Sequence, residues 1–471
     1  MNIQLGIVIL YVCILVAISI YVRRRTMNSM GFLFAGRGLT TPMVAANITA
    51  TAVGAASTIG VAENAFTYGI SAGLYNVAWA AGAVAMAFVA AGKYRQMECT
   101  TIPEFFERFY DKKGRAIAVL GMITVQLVIT SLQYIAGGAI LSSLLPQFFT
   151  FEQGMIVSAV VFIGTTLIGG LWFSGISNIL SVTLIYFGVL VSTYSIIQQQ
   201  GSWNQFVLSL PEGVAWFDPI APLGLATVIG WFVVMITQTL TAQGPVQIAC
   251  AAGDAKTAKH GFLWGALLML PIGFLCAIMG MAARVSHPDL NATLALPNMI
   301  MGLDPIVSGI TLAALWAADI GTCSHILLAA GTLFSQDIYK RFFDPQISDH
   351  KYTIINRWAI LILGGGTLWM AFNASGIVKT MLIGLSLTTA FTVVFLGTIF
   401  IPRLCRKNTA FYTTLMGIIT LFAWEFIPAT HIVAHPIYME WIVCVITFYI
   451  VSVFDKKAIK HPGVKENYYK I

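Results

Sequence analysis

Residues 312–341 read LAALWAADIGTCSHILLAAGTLFSQDIYKR, an apolar run that ends in charged residues. Asp319 lies deep inside this run, accompanied by the polar side chains of Thr322, Ser324 and His325. A carboxylate in the middle of an apolar membrane helix costs about 3 kcal/mol or more if it faces lipid. We therefore expect Asp319 to face a polar interior, where it binds a cation, accepts a proton or contacts a substrate.

The composition of the whole chain indicates that this environment is a membrane. Of the 471 residues, 58% are hydrophobic and only 10% are charged, and the mean hydropathy is +0.82. Soluble domains carry roughly 25% charged residues. Apolar windows of about 20 residues, the length that crosses a bilayer core, recur along the sequence. The chain is therefore predicted to be an all-α polytopic membrane protein embedded in the lipid bilayer.

Thirteen apolar windows are predicted to be transmembrane helices, with connections too short to form a separate catalytic domain. They cover residues 4–22, 42–66, 71–92, 116–144, 153–171, 178–198, 223–249, 262–283, 305–334, 356–375, 378–401, 410–428 and 438–454. We interpret the first as a retained helix, because it lacks a small-residue cleavage site.

The positions of the basic residues predict the orientation. Nearly all of the 26 lysines and arginines fall on alternate connections, the main groups being residues 23–37, 93–115, 340–357 and 456–470. By the positive-inside rule the N-terminus is outside and the C-terminus is cytoplasmic, in a plasma membrane. The net charge of +7 is therefore a topology signal and gives no reason to expect nucleic acid as a partner.

A membrane-embedded enzyme and a transporter-like solute sensor are the alternatives to a transporter. A membrane-embedded enzyme would need a metal-ligand motif such as HExxH, and the sequence does not contain it. The seven cysteines are scattered without metal-site spacing, so we expect no metal other than a coupling ion and no other cofactor. A transporter-like solute sensor remains an alternative, and no obligate protein partner is predicted.

The second predicted span has an unusual composition. Residues 42–64 read PMVAANITATAVGAASTIGVAEN, with Gly54 near the middle. Small residues permit close helix packing, and glycine allows a helix to unwind. Discontinuous helices of this kind expose carbonyl groups to ions at the bilayer midplane of transporters.

Five short motifs carry a resemblance to a known family. They are FAGRGL at 34–39, TIPEF at 101–105, GGL at 169–171, a loop with Gln247, Ala251, Ala252, Asp254, Ala258 and Gly261, and TLF followed by DIY at 332–339. In this order they resemble the solute:sodium symporter family, which includes sodium/galactose, sodium/proline, sodium/pantothenate and sodium/sialic acid carriers. The loop departs from the family pattern at Ile248, where arginine is usual.

The resemblance implies a LeuT-type fold and cation-coupled symport of a small polar organic solute by alternating access. The implied core covers residues 31–405, as two inverted repeats of five helices at about 41–200 and 220–405. An extra helix within residues 1–30, two further helices in residues 406–454 and a tail of residues 455–471 complete the predicted organisation.

The resemblance also implies positions for a sodium site. These positions are Ala50, Val53, Ala318, Gly321 and Thr322, with Asp319 as an additional candidate. The sequence departs from the family pattern at two further points. Gly321, among the site positions, replaces a hydroxyl residue, and Asn178 in the sixth span stands where aspartate is frequent. His325 falls where several family members have serine.

These departures leave two coupling ions open. Asp319 and Thr322, three residues apart, share a helix face and together suit sodium. Asp319 and His325 point about 120° apart on a helix and are not expected to pair, but both groups titrate. Sodium is therefore the preferred coupling ion, and protons, or an uncoupled carrier, are the alternatives.

The predicted substrate pocket is neutral. Positions that match the sugar-binding residues of the galactose carrier hold Ser57, Asn76, Met269 and Val128, which makes a sugar improbable. The predicted pocket residues are Ser57, Asn76, Gln133, Thr237 and Gln238. Glu63 is a candidate gate residue, whereas Glu425 and Glu440 are interpreted as interfacial carboxylates near the outer ends of the last two spans.

Overall fold

The computed structural model describes residues 3–22, 28–97, 100–373, 377–457 and 459. Within them the chain is helical, with one isolated bridge between Leu39 and Ala252. The arginines at 23–25 and most of the predicted tail lie outside the described residues. The helices of the first half are α1 (Ile3–Val22), α2 (Ser29–Phe34), α3 (Thr41–Ala52), α4 (Ile59–Tyr68), α5 (Leu74–Val89), α6 (Ala91–Met97), α7 (Ile102–Phe109), α8 (Lys112–Leu144), α9 (Phe151–Gln199) and α10 (Trp203–Ser209).

The second half continues with ten further helices. They are α11 (Leu225–Thr241), α12 (Gln243–Ala251), α13 (Ala255–Ser286), α14 (Ala295–Met301), α15 (Pro305–Thr332), α16 (Asp349–Phe372), α17 (Ile377–Ser386), α18 (Thr388–Phe400), α19 (Thr409–Phe426) and α20 (Pro436–Phe454). A π-helical segment, Leu333–Phe343, follows α15 directly.

Within the described residues, length and apolar composition identify ten helical segments that can cross a membrane. Two bent pairs, α11 with α12 at 48° and α17 with α18 at 40°, raise the number to twelve. Each of the thirteen predicted spans overlaps a helix or a pair of helices. Twelve is one fewer than the thirteen predicted spans, because the predicted second span is not a separate membrane-crossing helix. It breaks into α3 and α4, and α4 continues through a 3-10 turn into α5.

Helix α15 forms the centre of the bundle. It packs against α8, α9, α16 and α1, and every residue from Leu312 to Thr332 is buried. Its start is capped, because the Asp304 carboxylate accepts hydrogen bonds from the N–H groups of Ile306 and Val307, and Pro305 is the first helical residue. Residues 312–332 thus lie in the most buried of the ten candidate membrane spans of the described chain.

Helix α9 consists of two spans joined at the predicted GGL motif. Gly170 has φ +53° and ψ −157°, a backbone conformation that side chains other than glycine rarely adopt. A side chain there would also collide with Phe32, since an added Cβ would lie 2.6 Å from its carbonyl oxygen. Gly170 therefore lets α2 pack against the joint between predicted spans five and six.

Ion pairs join α7, the start of α8 and the segment after α15. The Arg115 guanidinium lies 2.6 Å from Asp337 and 2.6 Å from Glu107, and the Thr101 hydroxyl donates to Asp337 at 3.0 Å. Arg341 donates to Glu107 at 2.8 Å. Burial by itself would raise the pKa of Glu107, but hydrogen bonds and charge from Arg341 and Arg115 lower it below its ordinary value. The TIPEF and DIY motifs therefore meet in one ion-pair network.

We expect Arg115→Gln to destabilise the protein by about 3–5 kcal/mol, because it leaves the fully buried Asp337 carboxylate without its cation. The melting temperature of the purified protein in detergent measures this. Lys351→Gln is the control, since Lys351 pairs with Asp344 in solvent at 3.1 Å and should change the melting temperature little. Equal effects of the two substitutions would contradict a supporting role for the buried network.

Candidate functional site

The break in the second predicted span lies between Ala52, the last residue of α3, and Ile59, the first of α4. A 3-10 turn, Ala55–Ser57, occupies part of the gap. A side chain at Gly54 would find no room, because an added Cβ would lie 2.7 Å from both Gln133 Oε1 and Thr322 Oγ1. Glycine therefore allows α8 and α15 to approach the backbone of the break.

Two hydrogen bonds hold the broken backbone. The Thr322 hydroxyl of α15 donates to the Ala50 carbonyl at 2.5 Å, and Gln133 Oε1 of α8 accepts the Ala55 N–H at 3.0 Å. Thr322 and Ala50, both predicted sodium ligands, are therefore in direct contact. Carbonyl and hydroxyl oxygens are the hard donors that alkali and alkaline-earth cations prefer. The break can thus offer oxygen ligands from two helices.

Gly321 and Asn178 lie in direct contact, so the residue at one position limits the residue at the other. A Cβ at residue 321 would overlap the side-chain oxygen of Asn178, which lies on the second half of α9. The Asn178 amide nitrogen donates to Asn47 Oδ1 at 3.0 Å, while Asn178 Oδ1 is buried and makes no hydrogen bond. The amide oxygen therefore fills the space that the hydroxyl side chain expected from the family pattern would need.

Asp319 is buried beside this site without a hydrogen-bond partner. It is 1% exposed, and neither carboxylate oxygen makes a hydrogen bond within the described part of the chain. The thiol of Cys323, one turn later, lies near it, and Cys323 in turn interacts with Tyr134 of α8. Helix α15 contains no lysine or arginine. The carboxylate therefore lacks a counter-charge on its own helix, on a face turned towards α8.

His325 lies one turn beyond Gly321, towards α3 and α12. Its Nδ1 is 3.3 Å from the Thr51 hydroxyl, and its ring packs against Gly244. Its Nε2 atom is buried and unpartnered. Asp319 and His325 form no hydrogen bond with each other, as the helical spacing predicted.

Glu63 joins two helices at the end of the bundle opposite α7. Its Oε2 accepts the N–H of Ile377, the first residue of α17, at 3.4 Å, and its carboxylate also interacts with Thr293. Gly60 lies against Val378, where an added Cβ would be at 2.9 Å. Glu63 is half-buried, so this contact holds α4 against α17 where a gate would close.

The other predicted pocket residues do not all point to the same place. Ser57 donates to the Ala52 carbonyl at 2.5 Å inside the break, and Asn76 donates to the Met269 carbonyl of α13 at 3.3 Å with its own oxygen unpartnered. Gln238 is buried and donates to the neighbouring Thr239 hydroxyl at 2.9 Å. Ser57 and Gln133 are therefore the two that lie at the break itself.

The prediction for Thr237 is corrected by the structure. Its hydroxyl accepts a hydrogen bond from the Trp441 indole at 3.2 Å, and its carbonyl accepts one from Thr392 at 2.8 Å. The side chain therefore faces α20 and a peripheral groove lined by Tyr438 and Ile442. One helical step of about 100° separates Thr237 from Gln238, and sequence pattern alone does not determine which of the two faces the pocket.

The interpretation of Glu440 as interfacial is wrong, because its side chain is 0% exposed within the bundle. Neighbouring Glu425 is exposed, as predicted. Sequence reasoning also missed Asn47 and Thr51, whose spacing of four residues on α3 places both towards the site.

A broken helix, a hydroxyl from a second helix at its exposed carbonyl and a bundle with two further bent helices define a secondary transporter with a LeuT-type fold. The chain belongs to the sodium:solute symporter family, whose model, described as "Sodium:solute symporter family", matches residues 32–417. It is accordingly a sodium-coupled symporter that moves a solute by alternating access.

Individual relatives agree with the family. A sodium/glucose cotransporter of Vibrio parahaemolyticus is 26% identical over 397 residues, which cover 75% of this chain and 72% of that protein. A sodium/proline symporter of Haemophilus influenzae is 22% identical over 448 residues, covering 89% of this chain and 88% of that protein. The family and these relatives are transporters.

Solved structures show the same fold. A sodium-coupled sialic acid symporter in a substrate-bound outward-open state has a TM-score of 0.82 at 17% identity, over 98% of this chain and 100% of that one. Mhp1, a nucleobase-cation-symport-1 family transporter in a closed conformation with bromovinylhydantoin bound, has a TM-score of 0.63 at 14% identity, over 90% and 93%. At these identities the likeness establishes the LeuT-type fold and nothing finer.

We expect Gly321→Ser to destabilise the protein by about 1–3 kcal/mol, because the added side chain displaces Asn178 from its hydrogen bond to Asn47. Removing the amide with Asn178→Ala makes room for the serine. The double variant should therefore lose less stability than the sum of the two single variants, measured as a double-mutant cycle of melting temperatures. Strict additivity would show that the two positions are independent.

Proposed function

We propose that one sodium ion binds at the break between α3 and α4 and drives uptake of a small neutral polar organic solute. The proposed ligands are the carbonyls of Ala50, Val53 and Ala318 and the hydroxyl of Thr322. The observation that carries this proposal is the 2.5 Å contact between the Thr322 hydroxyl and the Ala50 carbonyl. Two oxygens from different helices already lie together at a backbone break, which is where a hard cation can bridge them.

Two further oxygens extend the proposed site. Asn178 Oδ1 is buried, unpartnered and next to Gly321, so it supplies an oxygen where the missing hydroxyl would have been. Asp319, which shares a helix face with Thr322, contributes the negative charge, since α15 has no lysine or arginine to balance it. A bound sodium ion offsets the cost of holding that carboxylate in the bundle.

The preference for a neutral solute follows from the side chains around the break. Ser57, Gln133, Asn76 and Gln238 offer hydrogen-bonding groups without charge. Helices α4 and α11 contain no lysine or arginine, so a carboxylate substrate would have no basic partner there.

We place the protein in a plasma membrane with the α7 end cytoplasmic, because the basic connections lie at that end. Glu63 is then at the outer end, where its contact with α17 closes the path from outside. Opening this contact would admit solute, and release of the ion-pair network around Arg115 would free the inner end. The two ends supply the alternating gates that symport requires.

Proton coupling is the second candidate, and one observation favours it. The carboxylate of Asp319 and Nε2 of His325 are both buried without hydrogen-bond partners, so each has a position at which a proton can bind. A proton carrier would not need the Thr322 hydroxyl as an ion ligand. Removal of that hydroxyl therefore separates the two candidates.

We expect Thr322→Val to abolish sodium-dependent uptake in proteoliposomes, because it removes an oxygen ligand at constant side-chain size. Thr322→Ser keeps the hydroxyl and should retain sodium dependence. Thr332→Val is the matched control on the same helix, since the buried Thr332 hydroxyl bonds only to the Leu328 carbonyl at 2.7 Å. Uptake that continues in Thr322→Val, ignores sodium and follows the pH gradient would establish the proton alternative.

The solute is identified by thermal-shift screening of neutral polar compounds with sodium or choline as the salt. A compound at 100 times its dissociation constant adds about 2.7 kcal/mol of stability, enough to shift the melting curve. For the compound found, we expect Gln133→Leu to raise KM about tenfold or more, because a lost hydrogen bond to a buried group costs about 1–3 kcal/mol. Thr237→Val should leave KM unchanged, because Thr237 faces Trp441. The reverse pattern would place the solute elsewhere.

A further inference from the structure

Glu440 is a buried carboxylate that the transport site does not use. It lies in the second turn of α20, is 0% exposed, and neither of its oxygens makes a hydrogen bond to any described residue. The nearest polar groups are the hydroxyls of Ser386 and Thr389. The Thr389 hydroxyl is itself buried and without a hydrogen-bond partner. Three unpartnered oxygen atoms therefore converge inside the bundle.

The position of this cluster is a hinge. Helix α17 ends at Ser386 and α18 begins at Thr388, and the two helices bend by 40° at this joint. The Glu440 carboxylate faces the joint from α20, which packs on α17, α18, α19 and α11. The cluster is separate from the break between α3 and α4, where Thr322 and Gln133 meet the backbone.

No positive charge balances Glu440 within the helices that surround it. On α20 the Cys444 thiol, one turn later, lies close enough to interact with the carboxylate, and Tyr438 hydrogen-bonds to the Ala226 carbonyl. Helices α11 and α18 carry no Asp, Glu, His, Lys or Arg, α17 carries only the exposed Lys379, and α19 carries only the exposed Glu425 and Tyr412 among titratable groups. A bare carboxylate in such surroundings is strongly unfavourable unless a cation or a proton neutralises it.

We propose that Glu440, with the hydroxyls of Ser386 and Thr389, forms a second cation site at the joint between α17 and α18, which takes up one proton or one sodium ion. Either occupant makes the site neutral. When protonated, the Glu440 carboxyl group can donate a hydrogen bond to the Thr389 hydroxyl oxygen. Sodium, in contrast, can be bound by the carboxylate and hydroxyl oxygens. Because the ligands come from both sides of the bend, occupancy favours one bend angle and links cation uptake to helix movement.

The test uses the full chain carrying Thr322→Val and Asp319→Asn, so that neither sodium nor proton binding in the core contributes. Melting temperatures are compared in sodium and in choline chloride, near pH 6 and near pH 9. If sodium is the occupant, it raises the melting temperature near pH 9. If a proton is the occupant, the melting temperature falls from pH 6 to pH 9 in either salt, because the stabilising proton is lost as the pH rises.

Adding Glu440→Gln should abolish whichever dependence is found, since the amide is neutral and of the same shape. Glu425→Gln is the matched control, because it removes an exposed carboxylate from the neighbouring α19 and should leave the dependence intact. Thr389→Val should weaken the dependence and Thr389→Ser preserve it, which keeps the test valid if the Gln variant fails to fold. A parent that responds to neither cation, or a response that survives Glu440→Gln, would overturn the proposal.

Discussion

The hydrogen bond from the Thr322 hydroxyl to the Ala50 carbonyl is the contact on which the centre of this protein depends. Inside a bilayer no water satisfies a broken helix, so each freed backbone group must find a partner within the protein. Thr322 supplies one partner to the end of α3, and Gln133 supplies another to the Ala55 N–H. The break is therefore tolerated only where α8 and α15 both approach it, and Gly54 leaves the space for them.

Three buried carboxylates in this fold illustrate two different uses of charge. Asp337 is 0% exposed, but Arg115 and Thr101 both contact its Oδ1 atom, so it joins α7, α8 and the end of α15 as a structural element. Asp319 and Glu440 are equally buried and have no such partner. A buried carboxylate that is paired with an arginine is already neutralised. An unpaired one is destabilising, and therefore favours binding of any cation that can reach it. The absence of a basic neighbour is thus what separates the two proposed cation sites from the ion-pair network.

Much of the fold could be predicted from the sequence because membrane helices are limited by few constraints. Length and hydropathy placed the spans, Gly54 indicated the break, and Gly169 and Gly170 marked the joint between two spans. The division into core and additional helices stays a prediction. Contacts that depend on rotation about a helix axis could not be derived, so Thr237 was placed in the pocket although it faces Trp441. Glu440 looked interfacial because it lies near a helix start, and only the packing of α20 against four other helices buries it.

The departures from the family pattern are easier to understand together than one at a time. Taken alone, glycine at 321 removes a hydroxyl ligand and asparagine at 178 removes a charge. The structure shows that the Asn178 oxygen occupies the space above Gly321, so the first change makes room for the second. The amide leaves an oxygen at the site but no charge. On our proposal, Asp319, which is buried and shares a face of α15 with Thr322, supplies that charge. The site then keeps one negative charge and its oxygen donors, with the carboxylate transferred from α9 to α15.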